Sequence, residues 1–493
     1  MQYDLVVIGS GPAGQKGAIA ASKLDKRVAI VERRSSQIGG NCLHTGTIPS
    51  KTMREAIMHL SGYRHRDVYG EKYRHKRQIR MKDLQRKIES VASHEMGVIE
   101  DQLDRNGIDM FSGQAKFLGP HSVEVVGESG RNVLDTDRVL IAAGTRPEHP
   151  DGIPFDGRHV FDSDQLLQID RVPRSMIVVG GGVIGLEYGI MFATLGVRVT
   201  VVDGRERLLS FCDREIIDTL LYHGRSIGMV FRLGEDVVDI NTMSNDRTAI
   251  ELESGKRLIA ETVLMAVGRR GDTADLELAT AGLEPDSRGR ISCNEHFQTD
   301  VPHIYAVGDV VGFPALASAS KVQGRKAVAH AFGQAEADFG LMPYGLFTIP
   351  EISMVGDSEE TLTKNKVPYE VGVARFRELA RGQISGELMG MLKLLFHRHT
   401  HRILGIHCIG ESATEIIHIG QAVMHFDGTM EYFRDAVFNY PTMAECYKIA
   451  AFNGLNKLDL DKPDTNASVE AGEAAILDEV HELVEVTQAV AAS

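Results

Sequence analysis

The sequence predicts an α/β protein built around two Rossmann-like domains. Two segments, beginning near residues 3 and 176, each read as a buried strand, a glycine-rich turn, a helix and a second strand. Each turn keeps the spacing GxGxxG, and in both units an acidic residue closes the second strand at the same interval after the first glycine. Glycine accounts for 50 of 493 residues, above the usual share of about 7%. Such an excess indicates many tight turns or close backbone approaches.

The first unit has a short, continuous apolar run at residues 3–8, typical of a central parallel strand. In the turn that follows, Gly9 makes the bend, Gly11 lets the backbone approach a pyrophosphate, and Gly14 allows close helix packing. We predict a small-residue helix over residues 17–23 and a second strand over 27–31, which ends at Glu32. Glu32 could accept hydrogen bonds from ribose hydroxyls, so the unit predicts a dinucleotide site.

The second unit repeats this pattern, with a strand at residues 176–179 and the turn glycines Gly180, Gly182 and Gly185. Its second strand, residues 197–202, ends at Asp203. Two such units predict two dinucleotide sites, and we expect FAD in one and a nicotinamide nucleotide in the other.

Further glycine turns suggest that the first domain is split. Residues 139–147 form a strand that runs into Gly144, and residues 263–269 repeat that pattern around Gly268. Residues 304–309 end a strand at Asp309, an acid that could reach a ribitol hydroxyl. We therefore predict that residues 1–150 and 275–345 form one domain, with residues 151–274 inserted as the second.

Composition excludes several classes of function. A formal charge of −14, the absence of tryptophan and an aromatic content of 6% argue against nucleic-acid binding. No apolar run approaches the length of a membrane span, and the first residues lack the basic region of a signal peptide. The five cysteines are scattered, with no CxxC pair, which disfavours a disulfide framework or a zinc site. We expect a cytoplasmic enzyme that holds no metal.

Two longer motifs carry a family resemblance. Residues 39–51, GGNCLHTGTIPSK, and residues 439–445, NYPTMAE, resemble segments of the flavoprotein disulfide reductases, which include lipoamide dehydrogenase and glutathione reductase. The resemblance covers about residues 1–460 and keeps the order of the motifs. It implies FAD in the first domain, a nicotinamide nucleotide in the second, and an α/β interface domain over residues 346–460. That interface domain would form a homodimer and bring the Tyr440 segment to the partner's flavin.

The chain departs from this family at two positions. Cys42 matches the first cysteine of the redox pair, but Thr47 stands where the second belongs, and Tyr440 stands where the family has its acid–base histidine. One thiol and one hydroxyl cannot store two electrons as a dithiol. A tyrosine, with a pKa near 10, is a poor proton relay at pH 7. The pattern is similar to the transhydrogenase branch of the family, which implies FAD-dependent, ping-pong hydride exchange between NADPH and NAD+.

The resemblance also implies roles for individual residues. Lys51 would lie beside the reactive flavin nitrogen and pair with Glu187, and these two are the predicted catalytic residues. Cys42 is more simply a small buried side chain than a catalyst. The predicted FAD contacts are Gly9, Gly11, Gly14, Glu32, Arg33, Gly40, Cys42, Thr47, Lys51, Ala115, Gly144, Asp309 and Ala317. The predicted NAD(P) contacts are Gly180, Gly182, Gly185, Asp203, Arg205, Arg207 and Gly268.

A site that binds both NAD(H) and NADP(H) would need both an acidic and a basic side chain. The Asp203 carboxylate suits the 2′-hydroxyl of NAD(H) and repels a 2′-phosphate, whereas Arg205 or Arg207 could bind that phosphate. The alternative is a solvated, charged turn.

Two other functions stay open at this stage. One is a single-cysteine NAD(P)H oxidase or disulfide reductase that uses Cys42 as a sulfenic acid. The other is a binding subunit of a large complex, as lipoamide dehydrogenase can be, for which the basic residues 63–80 and the acidic tail 461–493 are the only support. The spacing of Leu477, Val480 and Val484 predicts a short helix in that tail.

Overall fold

The computed structural model describes residues 1–65, 69–70, 73, 75–76, 78–128, 130–243, 246–335 and 340–460. The predicted helix in the acidic tail and part of the basic stretch 63–80 lie outside the described residues.

The strands of the described residues fall into five sheets. In chain order they are β1 (Gln2–Ile8), β2 (Val28–Glu32), β3 (Asp109–Ser112), β4 (Gln114–Gly119), β5 (Ser122–Gly127), β6 (Gly130–Ile141), β7 (Thr145–Pro147), β8 (Val160–Asp162), β9 (Ser175–Val179), β10 (Arg198–Asp203), β11 (Val230–Leu233), β12 (Val237–Met243), β13 (Arg247–Leu252), β14 (Arg257–Ala260), β15 (Thr262–Met265), β16 (Arg269–Gly271), β17 (Ile304–Ala306), β18 (Tyr344–Leu346), β19 (Ile352–Gly356), β20 (Tyr369–Arg375), β21 (Met391–His397) and β22 (Ile403–Ile409).

The α-helices in the described parts of the chain lie between these strands and at the end of the chain. They are α1 (Pro12–Ser22), α2 (Gly40–His44), α3 (Thr47–Ser61), α4 (Met81–Asp104), α5 (Val183–Thr194), α6 (Arg214–Ser226), α7 (Ala317–Ala331), α8 (Glu359–Lys364), α9 (Ala380–Ser385), α10 (Ala413–His425), α11 (Met430–Asp435) and α12 (Glu445–Leu460). None of the helices described here is long and apolar enough to cross a membrane.

The first sheet has the order β3-β2-β1-β6-β5-β4, and β17 adds a parallel strand beside β6. Strand β1 pairs in parallel with both β2 and β6, and its residues are almost entirely buried, as a continuous apolar run requires. Helix α1 begins at Pro12, earlier than predicted, because proline is favoured at the first helical position and its missing N–H is not needed there. The chain leaves this sheet, forms the second one and then returns to it through β17.

The second sheet is parallel, with the order β11-β10-β9-β15-β8, and an antiparallel sheet, β12-β13-β14, adjoins it. Short strands β7 and β16 pair where the chain crosses between the first two units. The third unit is an antiparallel sheet with the order β18-β19-β22-β21-β20, against which α10 and α12 pack. The predicted α/β class is confirmed. The exact domain boundaries stay a prediction.

Candidate active site

The two glycine turns share one geometry, which follows from their shared spacing. A side chain at Gly14 would overlap the carbonyl oxygen of Gly9, and one at Gly185 would overlap that of Gly180. The third glycine of each fingerprint therefore lets its helix pack directly on the turn. Gly11 and Gly182 cap helices α1 and α5, and space is open around both. Each helix N-terminus is thus accessible to a phosphate group.

The acid at the end of each second strand binds back to its own turn. Oε2 of Glu32 accepts hydrogen bonds from the Ser10 backbone N–H, at 3.1 Å, and from its hydroxyl, at 2.6 Å. Oδ2 of Asp203 accepts the backbone N–H of Gly181 at 2.6 Å. Within the described residues Oε1 of Glu32 has no hydrogen-bond partner, so this oxygen can accept from a ribose hydroxyl.

Asp203 also holds Arg205 in a two-point ion pair. Nε of Arg205 donates to Oδ1 at 2.8 Å and Nη2 donates to Oδ2 at 2.6 Å, while the Arg205 backbone N–H adds a third bond to Oδ1 at 2.8 Å. Burial alone would raise the pKa of Asp203, but the bonds from Arg205 and Gly181 outweigh it and lower that pKa. The acid and the arginine therefore act as one nearly neutral unit at the end of β10.

Arg207 faces a different partner. Its Nη2 lies 2.7 Å from Oε1 of Glu360, at the start of α8, and 3.3 Å from the carbonyl oxygen of Cys212. The structure thus separates two arginines that the sequence does not distinguish, since Arg205 pairs with the acid at the end of β10 and Arg207 pairs with the third unit.

A cavity of about 760 Å³ lies where the three units meet. Most of the predicted site residues line it: Gly9, Gly11, Glu32, Arg33, Gly40, Cys42, Thr47, Lys51, Ala115, Gly144, Asp309, Ala317, Gly182, Glu187 and Gly268. The predicted residues that do not line it are Gly14, Gly180, Gly185, Asp203, Arg205 and Arg207. The three glycines support the turns by packing. Asp203, Arg205 and Arg207 lie at the end of β10 and directly after it.

Lys51 and Glu187 form the polar centre of this cavity. Nζ of Lys51, on α3, lies 2.6 Å from Oε2 of Glu187, on α5, and their side chains are 25% and 6% exposed. The other carboxylate oxygen, Oε1, accepts the backbone N–H of Phe347 at 2.8 Å, and the Lys51 ammonium lies 5.1 Å from the Phe347 ring centre. One carboxylate therefore joins all three units at the cavity wall.

Cys42 and Thr47 occupy the positions of the family's cysteine pair, and both line the cavity. Burial raises the pKa of the Cys42 thiol, although the hydrogen bond with Thr47 opposes the shift. All five cysteines are free thiols. A half-buried thiol with a raised pKa is a weak nucleophile at neutral pH.

Asp309 lines the opposite side of the cavity, in the turn after β17. Burial raises the pKa of its carboxyl, against the charge of Arg269 and a hydrogen bond with the Thr145 side chain. Hydroxyl donors of a bound ligand would favour the charged form of this acid. Nearby, Arg33 pairs with Asp272 at 3.1 Å.

Three aromatic residues of the cavity were not predicted. Tyr188, Tyr344 and Phe347 all line it, and burial raises the pKa of Tyr344 to about 12. Tyr188 could have been inferred because it follows Glu187 on α5. The sequence gives no comparable signal for Tyr344 or Phe347, which come from the third unit.

The segment around Tyr440 does not line the cavity of its own chain, and the Tyr440 side chain is 73% exposed. Val437, beside it, is also exposed, which leaves apolar surface on the third unit.

One cluster of the described residues could be mistaken for a metal site. Asp213, Glu215 and Glu359 bring carboxylate oxygens close together, but the ammonium of Lys393 lies between them. A lysine already supplies the positive charge there.

Comparison with known proteins accounts for this arrangement. The family model described as pyridine nucleotide-disulphide oxidoreductase matches residues 3–334, and the dimerisation domain of the same family matches residues 342–451. The chain belongs to this family. The predicted family membership is confirmed, as is the presence of a C-terminal dimerisation domain.

Individual relatives are more specific. A soluble pyridine nucleotide transhydrogenase of Mycobacterium tuberculosis is 51% identical over 460 residues, which cover 93% of this chain and 98% of the relative. One from Photobacterium profundum is 45% identical over 470 residues, covering 92% and 98%. Among solved structures, the HOCl-induced flavoprotein disulfide reductase RclA from Escherichia coli is 27% identical, with a TM-score of 0.82, over 91% of this chain and 99% of that one.

The cavity has the groups that FAD needs. The open N-terminus of α1 can receive the pyrophosphate, and one carboxylate oxygen of Glu32 can accept from a ribose hydroxyl. Hydroxyl donors of the ribitol would stabilise the charged form of Asp309, whose pKa burial raises. Gly40 lies against Gly11, where an added Cβ would come within 3.1 Å of the Gly11 Cα. The start of α2 therefore closes tightly around the fingerprint turn.

Proposed function

We propose that the protein is an FAD-dependent transhydrogenase that moves hydride reversibly from NADPH to NAD+, each nucleotide using the same site in turn. The observation that carries the proposal is that Thr47, and not a second cysteine, lines an otherwise complete cavity together with Cys42. With one thiol, the chain cannot pass electrons on as a dithiol, whereas both nucleotide fingerprints and the Lys51–Glu187 pair are in place.

Bound FAD would supply a carrier that accepts a hydride from one nucleotide and gives it to the next. Lys51 would place a fixed ammonium beside the carrier and stabilise negative charge that develops there. Glu187 restrains this ammonium, and its bond to the Phe347 backbone keeps the carboxylate in one orientation. The cavity walls contributed by the third unit, including Tyr344 and Phe347, limit the access of water.

We assign nicotinamide nucleotides of both kinds to the second fingerprint. Its turn, with Gly180, Gly182 and Gly185, would hold the pyrophosphate, and the Asp203–Arg205 pair would meet the adenosine ribose. Since FAD fills the first fingerprint, only this one site remains. The two substrates must then alternate, which gives ping-pong kinetics.

The dimerisation domain supports a homodimer in which exposed residues such as Tyr440 face the partner's cavity. Tyr440 replaces the family's histidine, and hydride exchange needs no proton relay there. We place the enzyme in the cytoplasm, where both nucleotides are available in reduced and oxidised form.

One assay tests the proposal. Purified protein receives NADPH and a thio analogue of NAD+, with oxygen and lipoamide offered as competing acceptors. We expect rapid reduction of the analogue, parallel double-reciprocal plots, and bleaching of the flavin by NADPH alone without oxygen. Fast lipoamide reduction without transhydrogenation would instead support a single-cysteine disulfide reductase, and fast oxygen consumption would support an oxidase. Intersecting plots would require two simultaneous nicotinamide sites.

A further inference from the structure

The segment that follows the nucleotide-reading acid is fastened at both ends. It runs from Asp203, at the end of β10, through Asp213, the residue before α6, to Glu215 in the first turn of α6. At its start, Asp203 binds the glycine turn through the Gly181 N–H. At its end, Asp213 accepts the backbone N–H of Glu215 at 3.1 Å and so caps α6.

Lys393 is the residue that holds the far end. It lies on β21 in the sheet of the dimerisation domain, and its side chain is 1% exposed. Its ammonium lies 3.0 Å from Oδ1 of Asp213 and 3.1 Å from Oε2 of Glu215, and it also pairs with Glu359 on α8. Three carboxylates from two domains thus converge on one buried ammonium.

The charges are arranged so that the cluster stays intact at neutral pH. Burial alone would lower the pKa of Lys393, but Glu359 and Asp213 outweigh it and raise that pKa. Across the sheet, Lys393 is paired in register with His407, and burial lowers the pKa of that imidazole. A second positive charge is therefore not expected beside the ammonium.

A second ion pair joins the middle of the segment to the dimerisation domain. Glu360, next to Glu359, pairs with Arg207 at 2.7 Å and accepts the backbone N–H of Arg214 at 3.2 Å. Arg207 lies four residues after Asp203, so the same short helix of the dimerisation domain holds the segment at two points.

This geometry matters because a nicotinamide nucleotide must span two domains. Its adenosine end belongs at Asp203 and its nicotinamide must reach the cavity beside Glu187. The dimerisation domain contacts Glu187 through the Phe347 N–H. It does not contact Asp203 itself among the described residues, but it holds the segment that begins there, through Arg207 and through Lys393. A domain that holds Glu187 and this segment can keep the distance between them fixed.

We propose that Lys393 is a positioning residue for the nicotinamide nucleotide, which fixes the segment 203–215 in register with the flavin cavity. This inference rests on the proposed function, since it assumes that NADPH and NAD+ share the second fingerprint. It assigns to the cluster a role in substrate binding, beyond its role in packing two domains together.

The test replaces Lys393 with methionine, which keeps an unbranched side chain, one atom shorter, and removes the charge. We expect the KM for NADPH and for NAD+ to rise together by about tenfold, with a much smaller change in kcat. The reason is that the segment 203–215 would shift, while the groups beside the flavin stay in place. In stopped-flow experiments without oxygen, the NADPH concentration that gives half-maximal flavin reduction should rise in step, while the limiting rate stays near that of the wild type.

The matched control is Lys457→Met. Lys457 is a partly buried lysine of the same domain that donates to the Val371 carbonyl at 2.6 Å, and within the described residues it makes no hydrogen bond or ion pair with the segment 203–215. The Lys457→Met variant should leave the KM for NADPH and the KM for NAD+ unchanged. FAD content and the melting temperature are measured for every variant, so that loss of folding is not mistaken for loss of positioning.

An unchanged KM for both nucleotides in a folded, FAD-loaded Lys393→Met protein would overturn the inference. If that variant does not fold, the milder substitutions Glu359→Gln and Glu215→Gln decide, since each removes one charge from the cluster. Both should raise the KM for the two nucleotides in the same direction, and no change in either variant would overturn the proposal. Failure of transhydrogenation itself is distinguishable, because flavin reduction by NADPH can be followed without any second nucleotide.

Discussion

Replacing Arg205 with alanine should weaken NADP(H) far more than NAD(H). In the structure, Nε and Nη2 of Arg205 are occupied by Asp203, while Nη1 has no hydrogen-bond partner among the residues described. A 2′-phosphate can therefore bind Nη1 while the ion pair persists and neutralises the acid. Without the arginine, the phosphate would lose this bond and meet a bare carboxylate.

The size of the effect follows from the exposure of the pair. A hydrogen bond to a charged group contributes about 1.5–3 kcal/mol. Because the Arg205 side chain is 58% exposed, solvent screening places the loss near the lower end, at about 1.5–2 kcal/mol, or roughly ten- to thirtyfold in Kd. For NAD(H), removing the Arg205 side chain leaves each oxygen of Asp203 with one backbone N–H partner and room to accept from the ribose, so we expect binding to stay equal or become slightly tighter.

The assay is a titration of the FAD-loaded protein with NADP+ and with NAD+, followed by fluorescence, at low and at high salt. Arg207→Ala is the matched control, because Arg207 pairs with Glu360 and should affect the two nucleotides alike. Equal weakening of both nucleotides by Arg205→Ala would refute the assignment. A selective effect of Arg207→Ala on NADP+ would transfer the role to that arginine.

Three further predictions concern the cavity. Cys42→Ser should keep the flavin and most of the transhydrogenase activity, and a loss of turnover beyond about tenfold with FAD still bound would show that the thiol participates. Since burial raises the pKa of Cys42, its alkylation, followed by mass spectrometry, should still accelerate above the pH at which an ordinary thiol has levelled off, and a plateau near pH 8 to 9 would contradict this. Lys51→Met should slow flavin reduction by NADPH about 100-fold with FAD content unchanged, because a fixed charge beside the carrier is lost, and a rate near that of the wild type would remove Lys51 from the mechanism.

The local parts of this site could be predicted from sequence because they depend on spacing. The glycine turns, the acids that close the second strands and the Lys51–Glu187 pair all follow motifs with fixed intervals or a family pattern. The contacts between domains could not be predicted in this way. Phe347 meets Glu187 across 160 residues, and Glu360 meets Arg207 across 153, with no periodicity to connect them.

The two arginines show how this difference affects a functional assignment. From the sequence, Arg205 and Arg207 are equivalent cations beside Asp203. Only the docking of α8 against the segment 203–215 separates them, because it supplies Glu360 as a competing anion for Arg207. In the proposed site, specificity at the 2′ position would thus be set partly by a domain that contains neither nucleotide fingerprint.

The position of Thr47 argues for hydride exchange more strongly than the loss of one cysteine alone. Thr47 begins α3, the helix that carries Lys51, so the same helix turn presents both groups to the cavity. In a dithiol enzyme this turn would have to hold a thiol ready for exchange as well as the lysine. Here the turn carries a hydroxyl, burial raises the pKa of the Cys42 thiol, and Lys51 retains its carboxylate partner. The turn therefore lacks the group that would pass electrons on to a thiol and has the lysine that the proposed exchange of hydride requires.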